Sequence, residues 1–189
     1  MDVQLPTLQA KSPPWLRALS LVRTEIERVI RALGQAVAWL GGAMMALIMV
    51  IVVLRYLFNL GWIALQESVM YLHAAAITFG AAYTLQKDKH VRVDIFFRNF
   101  NDKQKAWLTI FGTVFLLMPT CSMIFSVCLP YVLDSWRYQE SSLETGGLPA
   151  LYLFKSLMLV LPILLYLQGV CWIITAVERL FSEVQESAE

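Results

Sequence analysis

Few side chains in this 189-residue sequence are equipped for chemistry. The first is Glu67, which follows "GWIALQ" just ahead of a long uncharged run. An ionisable group beside a membrane segment is a candidate for proton or cation coupling or for substrate binding. An acid in the first turn of a helix is also favourable in its own right, and a structural or assembly role is the expectation here. His73 lies about two turns further on, on roughly the same side as Glu67 and Met70. A haem ligand there would need a second imidazole facing it at membrane depth. The other histidine, His90, sits in a charged stretch, so His73 is expected to hydrogen-bond to a neighbouring helix. Cys121, Cys128 and Cys171 occupy apolar runs without CxxC or zinc spacing and read as small buried hydrophobes. There is no glycine-rich phosphate loop, metal-ligand cluster or nucleophile–base pair. No pair of acids deep in an apolar run marks an ion path. Finally, "HVRVD" alternates His90, Arg92 and Asp94 with Val91 and Val93. An extended segment would place the three polar groups on one side, where they are expected to fix this stretch by polar contacts.

The elements that must position these groups are set by composition. The chain is 58% hydrophobic and only 15% charged, against about a quarter charged in soluble domains. It therefore reads as an all-α integral membrane protein. Uncharged runs of 23, 19, 28 and 22 residues cover 32–54, 68–86, 106–133 and 156–177. A bilayer core takes about 20 apolar residues per helix, which gives four spans at about 33–57, 63–86, 106–133 and 149–178. The runs are continuous rather than alternating, which excludes a β-barrel. Lysine and arginine set the orientation. Eleven lie before span one or between spans two and three, against Arg55, Arg137 and Lys155 at the other side. Both termini and the 87–105 loop are expected in the cytoplasm.

The chain divides into a cytoplasmic segment (1–32), a transmembrane domain (33–178) and a cytoplasmic tail (179–189). The N-terminal segment lacks the compact apolar core and cleavage site of a signal peptide and is expected to be retained. Within it, "SPPWLRALSLVRTEIERVIRAL" is amphipathic, with Ser12 as cap and Pro13 and Pro14 in the first turn. It predicts a separate helix lying at the membrane interface or on a partner. Asn101 and Gln104 suit a capping box for span three, and Trp136 and Tyr138 suit interface anchors. Pro119, Pro130 and Pro162 are expected to kink their spans. Gly41, Gly42, Ala43, Gly80, Ala81 and Ala82 are expected to permit close helix packing.

Two stretches together resemble the small membrane subunit, the DctQ type, of tripartite ATP-independent periplasmic (TRAP) transporters. The first is "LQESVMYLHAAAITFGAAYTLQKDKHVRVDIFF", with Trp62 and Glu67 opening span two, small residues at 80–82, then His90, Arg92 and Asp94. The second is "SWRYQESSLETGGLPALYLFKSLMLVLPILLYLQGV", with Ser135, Trp136, Glu140, Gly147, Leu148, Pro149 and Lys155 in the family's order. The resemblance runs from about 33 to 175. It implies partners: a periplasmic protein that captures an organic acid, and a large subunit that moves it by an elevator motion driven by a sodium gradient. The small subunit would scaffold the large one in the bacterial inner membrane. It would have no catalytic role, no cofactor and no nucleic-acid partner. An α-keto or hydroxy acid is the implied substrate class. Two other readings remain on the residues alone: a stand-alone proton-coupled exporter using Glu67, and a membrane anchor for an enzyme complex.

Overall fold

The computed structural model describes residues 13–87 and 100–186, with side chains through Phe181. These residues form four long helices. They are α1 (Pro14–Leu57), α2 (Ile63–Gln86), α3 (Asp102–Arg137) and α4 (Leu151–Glu186). All four are long and apolar enough to cross a membrane. The second span begins and ends where the sequence predicts, the third runs past both expected limits, and the fourth starts two residues later than expected and runs past its expected end.

The sequence expectation for the N-terminus is corrected. No break separates the amphipathic segment from span one; both belong to the 44-residue α1. At 1.5 Å per residue this helix is ~66 Å long, about twice the ~30 Å of a bilayer core. Pro13 and Pro14 sit at its start, where a missing N–H costs nothing. Nothing between them and Leu57 interrupts the hydrogen-bond ladder. The first five turns are also tied to this chain rather than laid flat. Leu16 and Ile30 are buried, Trp15 packs edge-on against Phe181 of α4, and Arg23 bonds Glu178 of α4 at 2.6 Å.

Those contacts put the start of α1 and the end of α4 at one end of the bundle. The end of α2 joins them, because Gln86 Nε2 donates to the Glu27 carbonyl at 2.7 Å. The core at this end is Ile30, Ala82 and Leu164, one residue from each of three helices. α4 is the central element, with extensive contacts to α1, α2 and α3. Its buried Gln168, Cys171 and Ile174 follow from that position.

Helix contact is closest at glycines other than those the sequence suggested. A Cβ at Gly34 would lie 2.2 Å from Cγ of Tyr83, so the tyrosine ring lies directly over the α1 backbone. A Cβ at Gly169 would lie 2.9 Å from Leu117 Cδ2 and 3.1 Å from Thr113 Cγ2. By contrast, Gly41 and Gly42 face open space. Ala82 does bury fully, as expected. Thr113–Leu117 of α3 is a widened π turn, with the Met118 N–H bonded to the Thr113 carbonyl. It lies immediately before Pro119. A proline has no N–H, and its ring crowds the carbonyl four residues back; the wider turn relieves both. Pro130 and Pro162 lie inside α3 and α4 respectively. The capping box at Asn101 is formed, with its N–H bonded to Gln104 Oε1 at 3.0 Å.

Candidate functional site

The charged groups at the other end of the bundle come together around the 138–150 link between α3 and α4. This link folds on itself through backbone bonds. Glu140 N–H meets the Ser135 carbonyl, Ser142 N–H the Leu148 carbonyl, and Leu151 N–H the Glu140 carbonyl, each at 3.1 Å. Gln139, at φ 48°, and Gly146, at φ 83°, supply the reversals.

Glu67 reaches this link from the first turns of α2. Its Oε2 accepts the Leu148 N–H at 2.6 Å, and its Oε1 accepts a very short bond from the Ser142 hydroxyl. The Ser142 hydroxyl in turn accepts the Glu144 N–H at 3.2 Å. One carboxylate therefore ties α2 to a loop about 80 residues away. Gly147 makes the approach possible. A Cβ there would lie 2.4 and 2.6 Å from the Ser142 side chain and 2.8 Å from Glu67 Oε1.

A second tie lies next to the first. Lys155 Nζ, in the second turn of α4, donates to Glu140 Oε2 at 2.5 Å. The Lys155 side chain is only 10% exposed, and its ammonium also lies 4.0 Å from the centre of the Tyr131 ring. A buried ammonium is tolerated when it has both an anion and a ring face to interact with. Lys155 holds the Glu140 carboxyl below the usual carboxylate range. Trp136 completes the cluster. Its Nε1 donates to Ser156 Oγ at 2.8 Å, and its ring packs against Tyr152 at 4.7 Å.

The structure thus brings Glu67, Trp136, Glu140 and Lys155 to one end of the molecule. Sequence reasoning named these four but missed what they hold: Ser142, the Leu148 N–H and the Tyr131 face. The clue was the pair of glycines at 146–147 next to a short polar run, which marks a tight turn. It could not reveal which side chain the turn would embrace.

His73 is placed elsewhere. It is exposed and, among the described residues, has no hydrogen bond to another helix. It lines an open groove of about 910 Å³ between α1 and α2, together with Gly41, Met45, Met49, Gln66 and Met70. His90, Arg92 and Asp94 lie outside the described residues.

What this arrangement can do is mechanical. The Glu67 and Glu140 carboxylates both accept bonds from the protein itself, so neither presents a free oxygen pair to a passing solute. Among the described residues, no three of His, Cys, Asp and Glu converge on a point. A family model described as "Tripartite ATP-independent periplasmic transporters, DctQ component" matches residues 44–179. No curated protein and no solved structure matches the chain.

Proposed function

The chain belongs to the DctQ component family of tripartite ATP-independent periplasmic transporters, and on that premise we propose that it is a non-catalytic small permease subunit that scaffolds the large membrane component. In this reading the large component carries out the elevator movement and the ion coupling, with a sodium gradient as the driving force. A periplasmic binding protein delivers the solute, an organic acid of the α-keto or hydroxy class. The chain sits in the bacterial inner membrane with the Arg23–Glu178 end in the cytoplasm. The eleven basic residues at that end against three at the other support this orientation.

One observation carries the proposal: the engagement of Glu67 by Ser142 and Leu148. A coupling carboxylate must exchange protons or cations during each cycle, and so must become free. Here its two oxygens each hold a separate point of the outer link, which suits a rigid support. The same bonds disfavour the stand-alone exporter, whose essential acid would be this residue.

The test is uptake in proteoliposomes, by omission. Vesicles holding the large component, this chain and the binding protein should accumulate labelled organic acid under a sodium gradient. Vesicles lacking this chain should not, and vesicles with this chain alone should show only leak. Accumulation by this chain alone would overturn the proposal.

A further inference from the structure

The groove between α1 and α2 has properties that hydrocarbon cannot satisfy. Gln66, Met70, His73 and Ile77 recur at helical spacing and form an outward stripe on α2. All four are exposed. In a membrane-spanning α2, His73 lies ~15 Å from the first residue, about half-way through a ~30 Å core. A neutral imidazole carries one donor and one acceptor, and the Gln66 amide carries both kinds as well. Neither side chain has a hydrogen-bond partner among the described residues. An imidazole facing lipid at this depth is costly and normally pairs with another helix, while Gln66 lies one turn into α2, nearer the boundary.

The other wall of the groove is equally unfinished. The most apolar stretch of α1 contributes no buried residue to this chain, whereas a third of the corresponding stretch of α4 is buried. A Cβ at Gly41 would meet nothing within 4 Å, so a neighbouring backbone has room to approach. Met45 and Met49 are both well exposed beside it, and methionine adapts readily to a partner's surface.

We infer that this groove is where the large membrane component docks, through a transmembrane helix that supplies a hydrogen-bonding side chain to His73 and Gln66. The inference rests on the scaffold reading and names the face that reading needs. Acyl chains would fill the volume and leave the mid-membrane imidazole unpaired, and this selects a protein occupant over lipid.

The experiment places a photo-crosslinking amino acid at Met45 or Met49 in the groove, or at Met123 on the exposed side of α3. The chain is co-expressed with the large component and the binding protein. Met45 and Met49 should crosslink to the large component, and Met123 should not. In the same system, Gly41→Trp should abolish co-purification while leaving the thermal stability of the purified chain unchanged, because its own packing is not touched. His73→Leu should lower partner recovery ~3-fold, the scale of one interhelical hydrogen bond in a membrane. A groove crosslink to a second copy of this chain, or to lipid only, would overturn the docking site. So would normal co-purification of Gly41→Trp. If the unsubstituted chain brings down no large component, the scaffold reading itself fails, and the docking site with it. If it does so but only Met123 crosslinks, the site alone is wrong.

Discussion

The clamp between Glu67 and the 138–150 link depends on a missing side chain, and Gly147→Ala tests it sharply. The added Cβ would lie 2.4 Å from Ser142 Oγ, 2.6 Å from Ser142 Cβ and 2.8 Å from Glu67 Oε1. All three distances are inside van der Waals contact. The serine cannot simply swing away. Its hydroxyl is engaged by Glu67 and Glu144, and its backbone N–H is bonded to the Leu148 carbonyl. The link must therefore lift off α2 or the carboxylate must retreat, and either way the two Glu67 bonds are lost together. Overpacking of this kind costs ~1–3 kcal/mol. For a chain of this size that corresponds to a Tm lower by ~2–10 °C. Unfolding of the purified chain in detergent can be followed with a thiol-reactive dye in a Cys128→Ser background, since Cys128 is only partly buried whereas Cys121 and Cys171 are buried free thiols that react only when the bundle opens. In a Ser142→Gly background the steric conflict with residue 142 disappears. There, Gly147→Ala should cost distinctly less than in the parent, a coupling that a double-mutant cycle measures. A Gly147→Ala protein with unchanged Tm, or full additivity with Ser142→Gly, would refute the reasoning.

Four further outcomes are expected. Gly34→Ala should destabilise by ~1–3 kcal/mol through the Tyr83 ring, while Gly42→Ala should be neutral or slightly stabilising; the same dye assay compares them. Gln168→Met should raise Tm, because Gln168 is buried with an unpartnered Oε1 and an unmade buried hydrogen bond costs ~1–3 kcal/mol. Glu140→Gln should leave the Lys155 ammonium without its anion, and adding Lys155→Met should restore part of the lost stability in the same assay. The Glu140 carboxyl is lowered in the folded state by Lys155, so its contribution is complete above the ordinary carboxylate pKa. That contribution is lost as the pH falls through the lower, folded value. Protease cleavage of the 138–150 link should rise over that acid range in the parent and rise less in Glu140→Gln, where the Glu67 carboxylate remains as the second titrating tie.

The four spans were legible because a bilayer imposes a length and a continuous apolar run, and both are properties of contiguous sequence. The start and end of α2 followed from Trp62 and Lys87 for the same reason. The unbroken α1 was not legible. A change from amphipathic to uniformly apolar suggests a hinge, yet a helix needs only an uninterrupted ladder, and no proline or helix-breaking turn falls between Trp15 and Leu57. Glycine positions show the same limit. Gly41 and Gly42 have the composition of a packing site, but close approach depends on which face meets a neighbour, and it falls at Gly34 and Gly169 instead. Glu67, Glu140 and Lys155 could be picked out as charges where charge is scarce. Their partners could not, because a serine hydroxyl and a leucine N–H are everywhere in a sequence and become specific only once the link has folded over α2. His73 was expected to bond a neighbouring helix; among the described residues its ring is exposed and has no such partner.

The most direct measurement is the composition of the complex recovered in mild detergent when the tagged chain is co-expressed with its large membrane partner and binding protein. Scaffolding requires a one-to-one complex of the two membrane proteins that withstands size exclusion, with this chain unable to transport by itself. A chain that elutes alone as a stable homodimer and moves solute in liposomes would contradict it.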